Sequence, residues 1–255
     1  MPANAGLSLT QKLNKRQRFP THNSMTIFRL SDILAFPKPH LADEDGLLAV
    51  GGDLSQERLL LAYRLGIFPW FLEGEPCLWW SPNPRLVLYP EELTLSKSIK
   101  KTIKKNPFQI TFDSAFDHVI QSCARTRLKK NEDTWIGQEM IDAYCKLHES
   151  GYAHSVEAWC KGSLEGGLYG VSLGKCFFGE SMFSNKSNAS KIAFVHLVEY
   201  LKKESYMMID CQVTTAHLKR FGAREIPREL FLQQLEEAMK WPTKSRSWKS
   251  NKFNS

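Results

Sequence analysis

Three features of the 255-residue sequence predict an α+β fold, with a small N-terminal domain followed by a larger domain on a mixed β-sheet. The composition, 42% hydrophobic and 24% charged, suffices to bury at least one full core, which excludes disordered, collagen-like and knottin-like classes. Residues 67–85 crowd aromatics and prolines into a stretch unlike any regular element, whereas periodic patterns dominate from Arg85 onward. Residues 154–212 then read in the order β-β-β-α-β, the signature of a meander joined to a further strand by a helical crossover.

Taken along the chain, residues 1–24 read as a disordered extension, 25–84 as the small N-terminal domain, 85–241 as the larger domain and 242–255 as a basic tail. Gly51-Gly52-Asp53 leads into a helix at 55–65, which Gly66 is placed to stop. Asp113 can cap a helix carrying Phe116, Val119, Ile120 and Cys123 at helical spacing, and Met140, Ile141, Tyr144, Leu147 and His148 mark another. Strands are expected at 154–159, 164–173 and 175–183, separated by Lys161-Gly162 and Gly174. A helix over 188–203 feeds a strand at 206–212, and short helices follow near 215–220 and 227–239. Gly166, Gly167 and Gly170 lie inside a strand, where they permit bends or close backbone approach rather than a phosphate cradle.

The net charge of +7 is carried by the ends. Residues 1–24 and 242–255 together contribute +8 and leave the body at −1, so the charge alone does not argue for a nucleic-acid partner. One cluster survives that correction: Lys97, Lys100, Lys101, Lys104 and Lys105 place five cations within nine residues. Helical spacing gathers several on one face, either a solvated face or a surface for a phosphate backbone. No run reaches the roughly 18 apolar residues of a membrane span, and residues 1–20 lack a secretory apolar stretch, so a soluble, non-secreted protein is expected. The six cysteines stand singly and most read as small buried hydrophobes, and the histidines lack ligand spacing, so no metal is expected.

Two acids and an amide stand out because they fall where apolar strands are expected. Period two places Asp210 and Gln212 on one face of the 206–212 strand, and Glu180 interrupts the 175–183 strand. One such residue reads as a satisfied buried group; two in one sheet point to a site. No G-x-S-x-G, H-E-x-x-H, Walker or G-x-G-x-x-G pattern is present.

The motifs Gly46-Leu47-Leu48-Ala49-Val50-Gly51-Gly52-Asp53, Tyr63-x-x-Gly66-Ile67-Phe68-Pro69-Trp70, Leu78-Trp79-Trp80-Ser81-Pro82, Thr134-Trp135-Ile136, Ala153-His154-Ser155-Val156-Glu157, Phe178-Gly179-Glu180-Ser181-Met182-Phe183, Asn188-Ala189-Ser190-Lys191 and Ile209-Asp210-Cys211-Gln212 occur in that order. Over residues 26–232 the sequence closely resembles the leucyl/phenylalanyl-tRNA–protein transferase family.

The resemblance implies a GNAT-like acyltransferase domain, a cytoplasmic setting and transfer of Leu or Phe, with Met a third candidate donor, from aminoacyl-tRNA to proteins beginning with Arg or Lys. The products would be N-degrons passed to the Clp adaptor and protease. It also implies that Asp210 orients Gln212, whose amide oxygen accepts from the attacking amine, while Glu180 holds the cationic acceptor. Leu168, Phe177, Met182 and Ile209 are placed around the aminoacyl side chain, and Trp70 and Trp135 against the terminal adenosine. Arg85 joins Lys97, Lys100, Lys101, Lys104 and Lys105 as candidates for the tRNA backbone. An aminoacyl ester is already activated, so no cofactor is expected. Two rivals are a GNAT acetyltransferase using acetyl-CoA, which would need the glycine pattern that 184–188 lacks, and a non-catalytic RNA-binding module.

Overall fold

The computed structural model describes residues 27–128 and 136–249. The extension at 1–24, Trp135 and the last six residues of the basic tail lie outside them.

The N-terminal part is a four-stranded sheet in the order β1-β2-β4-β3, formed by β1 (Phe28–Leu30), β2 (Leu47–Gly51), β3 (Phe68–Pro69) and β4 (Leu78–Trp80). Helix α1 (Gln56–Arg64) lies between β2 and β3 and begins at Ser55, whose side chain accepts from the Arg58 backbone N–H. Gly66 follows it at φ +72°, and a Cβ there would sit 2.7 Å from Leu232 and 2.9 Å from Phe231, so both backbone and packing demand glycine. Short strands thus run through residues 67–85, where the sequence shows no regular pattern; Trp79 and Trp80 bury their rings in the core.

The larger sheet has seven strands in the order β11-β5-β10-β9-β8-β7-β6. Its members are β5 (Arg85–Leu88), β6 (Gln109–Phe112), β7 (Ala153–Cys160), β8 (Ser163–Leu173), β9 (Cys176–Ser184), β10 (Met208–Asp210) and β11 (Arg224–Ile226). Strands β7, β8 and β9 form the expected antiparallel meander, and β10 returns parallel to β9 after the crossover helix. The helices of this part are α2 (Lys97–Lys105), α3 (Phe116–Leu128), α4 (Gln138–Glu149), the crossover α5 (Ala189–Lys203), α6 (Ala216–Lys219) and α7 (Arg228–Met239). The short strands β5, β6 and β11 escape a periodicity reading, because three or four residues carry too little alternation to register.

Alternation along the strands gives this sheet two apolar faces. On one, Leu168, Phe177 and Ile209 pack with Ile192, Phe194 and Leu197 of α5. On the other, Tyr169 and Phe178 join Phe116 and Tyr144 and continue into Tyr63 of α1 and Trp79 of the small sheet. One apolar cluster therefore crosses from the first sheet to the second, locking their relative position.

Two local expectations fail. Asp113 does not cap α3: it adopts φ +51° and accepts from His154 Nδ1 at 2.9 Å, the Ser155 N–H at 2.9 Å and the Trp248 N–H at 2.6 Å. The basic tail does not leave the body at residue 242, because Trp248 is buried and stacks on His154 with 3.8 Å between ring centres. Its charge signals solvent; the one indole overrides that signal by filling a slot in the core.

Candidate active site

The site forms where β9 and β10 stop pairing. Their ladder ends at Asp210 and Phe178, whereas β9 continues to Ser184. Beyond that point Gly170 pairs with Gly179 and Tyr169 with Ser181, which leaves Glu180 as the extra residue of a β-bulge. A bulge bends its strand and re-aims a side chain, and here it turns Glu180 toward the N-terminal part. Gly170 opposite it cannot be larger, since a Cβ would lie 2.2 Å from the Phe178 carbonyl oxygen and 2.6 Å from the Phe177 ring.

The strand carrying Asp210 is shorter than expected. It ends at that residue, and Gln212 adopts φ +60°, so strict alternation does not reach Gln212. Asp210 sits beneath the site, fully buried. Its Oδ1 accepts from Arg85 Nε at 2.8 Å and from the Gln212 N–H at 2.9 Å, and its Oδ2 accepts from Arg85 Nη2 at 2.6 Å. Asp210 thus holds Gln212 through the backbone, as an Asx turn does.

Arg85 belongs to this pair and not to a phosphate-binding surface. Only 1% of it is exposed, and its guanidinium lies between the rings of Phe68 and Phe231, 4.8 and 4.5 Å from their centres. A guanidinium so enclosed and already bidentate to a carboxylate cannot reach a nucleic-acid backbone. Its position at a strand start, next to a proline, carries no mark of burial in the sequence.

Glu180 is held by three donors from three parts of the fold. Tyr63 of α1 donates to Oε1 at 2.7 Å, Tyr144 of α4 donates to Oε2 at 3.1 Å, and Gln212 Nε2 donates to Oε1 at 2.8 Å. The two tyrosine hydroxyls also lie against each other, a third oxygen–oxygen contact for which their two protons, already given to Glu180, leave none. Burial raises the Glu180 carboxyl to about 7, and burial together with the Glu180 charge keeps both tyrosines well above their ordinary range. With its nitrogen committed to Glu180, Gln212 presents its amide oxygen as the free end.

Beside these groups lies an apolar cavity of about 250 Å³ lined by Leu168, Phe177, Met182 and Ile209, with Glu180 and Gln212 as polar members of its lining. Phe194 and Leu197 of α5, and Val213, His217 and Leu218 after β10, also line it, and nothing in the sequence singles them out. Tyr63, which opens one of the motifs that carry the resemblance, and Tyr144, which marks a helix by its spacing, are given no role in the site by the sequence. No local signal marks them; only convergence across the fold does.

Trp70 is half-buried beside Trp80, with 5.8 Å between ring centres, and its carbonyl accepts from Trp80 Nε1. Lys97, Lys100, Lys101, Lys104 and Lys105 are all exposed on α2, which contains no acid and turns Ile99 into the core. The helix is tied to the start of α5 through Asn188 Nδ2, which donates to Thr102 Oγ1 at 3.3 Å.

Two family models match the chain. Residues 52–83 match "Leucyl/phenylalanyl-tRNA protein transferase N-terminal domain", and residues 87–236 match "Leucyl/phenylalanyl-tRNA protein transferase". The chain is 57% identical over 224 residues to the leucyl/phenylalanyl-tRNA–protein transferase of Syntrophobacter fumaroxidans, covering 88% of this chain and 96% of that one. It is 55% identical over 224 residues to the one of Desulfatibacillum aliphaticivorans, with 88% and 96% covered. Among solved structures it shows a distant likeness to L-PGS from Bacillus licheniformis, with TM-score 0.39, 11% identity and 66% of this chain and 54% of that one covered. Taken with the slot and the polar groups that line it, the sequence relatives define an enzyme of the aminoacyl-tRNA-dependent transferase class. The chain belongs to the leucyl/phenylalanyl-tRNA–protein transferase family.

Proposed function

We propose that this transferase moves leucine or phenylalanine, with methionine a third candidate donor, from charged tRNA onto the α-amine of proteins that begin with Arg or Lys. The observation that carries the reading is the apolar cavity with Gln212 and Glu180 in its lining. Leu168, Phe177, Met182 and Ile209 offer a branched or aromatic side chain a water-free slot, and unbranched Met182 adapts to either shape.

The donor ester needs no further activation. The acceptor's α-amine, which titrates near pH 8, attacks the ester carbonyl; a C–N bond forms, the C–O bond to the ribose breaks, and the ribose oxygen leaves with a proton. Gln212 accepts an N–H of the amine through its amide oxygen and so aims the lone pair, Asp210 and Arg85 fix the backbone of Gln212, and Glu180 offers a negative charge to the cationic acceptor. The exposed lysines of α2 meet tRNA phosphates without reading sequence, and Trp70 and Trp135 take the terminal adenosine. A GNAT-like assignment of the larger domain is supported by the β7-β8-β9 meander followed by α5 and parallel β10. The products are N-degrons delivered in the cytoplasm to the Clp adaptor and protease.

The decisive experiment supplies labelled leucyl-tRNA with peptides beginning with Arg, Lys or Ala. Transfer to the first two and not to the third is expected; no transfer to any basic peptide overturns the reading.

A further inference from the structure

We infer that Glu180 is the seat of the proton released when the acceptor's ammonium becomes a free amine, and that Tyr63 and Tyr144 are positioning residues that close a hydrogen-bonded ring around that proton. The inference rests on the transfer reaction proposed above and specifies where its proton goes.

The argument is a count of protons. Three oxygen–oxygen contacts link the groups in a ring: Tyr63 to Tyr144, Tyr63 to Glu180 Oε1 and Tyr144 to Glu180 Oε2. Each contact needs one proton. The two phenols supply two, so with an ionised carboxylate one contact has none and two lone pairs face each other. A third proton on Glu180 completes the circuit: Oε2–H donates to Tyr144, Tyr144 donates to Tyr63, and Tyr63 donates to Oε1. Gln212 Nε2 continues to donate to Oε1 in both states, so its amide keeps its orientation while the proton arrives.

The surroundings favour the same outcome. Both tyrosines are wholly buried, and Glu180 lies in a bulge where burial disfavours its charge more strongly than the hydrogen bonds donated by Tyr63, Tyr144 and Gln212 favour it. The charge of Asp210 raises the Glu180 carboxyl further, although Arg85 engages that aspartate at 2.6 and 2.8 Å, and His217, whose own value burial lowers, lines the same cavity. In balance, the bound ammonium gives one proton to Glu180, the amine attacks, its second proton leaves on the ribose oxygen, and the third stays on the new amide. Glu180 returns its proton to solvent before the next turnover. Tyr63 lies within the match to the N-terminal domain model and Tyr144 within the match to the main one, so the ring exists only when the two parts are docked.

The test follows the Glu180 carboxyl by infrared difference spectroscopy against Glu180→Gln, and measures leucine transfer from charged tRNA to an Arg peptide between pH 5.5 and 8.5. In the wild type the acid band should vanish, and kcat should rise, around pH 7. In Tyr63→Phe and Tyr144→Phe the ring no longer calls for a third proton, so both transitions should move down by roughly one pH unit with the KM for tRNA unchanged. Glu180→Gln, whose amide N–H can replace the third proton and keep the ring intact, should stay folded yet lose about 100-fold in kcat. An upward or absent shift in the phenylalanine variants means that the tyrosines only solvate a carboxylate, and overturns the ring; full kcat in Glu180→Gln overturns the proton role. A wild type that transfers to no basic peptide overturns the parent reaction and the role with it, whereas an active wild type with an unmoved band overturns the ring alone.

Discussion

Arg85 grips Asp210 with two parallel hydrogen bonds, from Nε at 2.8 Å and Nη2 at 2.6 Å, and neither residue exposes more than 1% of its surface. The pair joins β5 to β10 directly beneath Gln212, so the backbone of the site residue is anchored by a buried ion pair. Removing one partner leaves the other as an unpaired buried charge. Arg85→Met should therefore lower unfolding stability by about 3–5 kcal/mol in urea titration. A loss below about 1 kcal/mol would show that Asp210 finds another partner.

Charge on α2 tests the tRNA surface independently of chemistry. Lys97→Glu, Lys100→Glu and Lys101→Glu should each weaken tRNA binding and flatten the log affinity–log salt slope by about one, with thermal stability unchanged. Slopes that stay at the wild-type value remove this helix from the interface.

Leu168 is 3% exposed and forms the cavity wall. Leu168→Ala should cost about 2–5 kcal/mol of stability and raise the ratio of phenylalanine to leucine transfer, because the slot widens beside the donor side chain. An unaltered donor ratio in a folded variant places the side chain elsewhere.

The buried carboxyl of Glu180 also links stability to pH. Its folded value of about 7 lies above the ordinary 4.5, so the folded state holds a proton that the unfolded chain has lost. Its stabilising contribution is full below pH 4.5 and disappears as pH rises through 7. Wild-type stability measured relative to Glu180→Gln should fall between pH 5 and 7 and level off above. A flat or rising difference contradicts the raised value.

Trp248 packs against His154, Phe112 and Tyr200, while Lys244 pairs with Glu204 at 2.8 Å and the Gly174 N–H donates to Thr243 Oγ1 at 2.9 Å. Trp248→Ala should lower stability by about 3–5 kcal/mol, the cost of emptying a large buried site. A thermal midpoint equal to that of the wild type would mean that this segment contributes nothing to the core.

Periodic patterns in the sequence by themselves determined the long elements: α1, the β7-β8-β9 meander, α5 and its crossover to β10 all lie within a few residues of where hydrophobic spacing and glycine punctuation put them. The anomalous acids Glu180 and Asp210 are equally legible, because a charge amid apolar strand residues is a local fact, whereas Gln212 lies past the end of its strand. Side-chain convergence was not legible. Arg85, Tyr63 and Tyr144 lie 125, 117 and 36 residues from the partners they hold, and Trp248 lies 135 from Asp113. Nothing in a window of ten residues distinguishes a tyrosine that fills a core from one that holds an acid. That distinction is made by a bulge, a left-handed glutamine and the docking of one sheet on another, each of which brings distant residues within hydrogen-bonding distance only after the chain has closed.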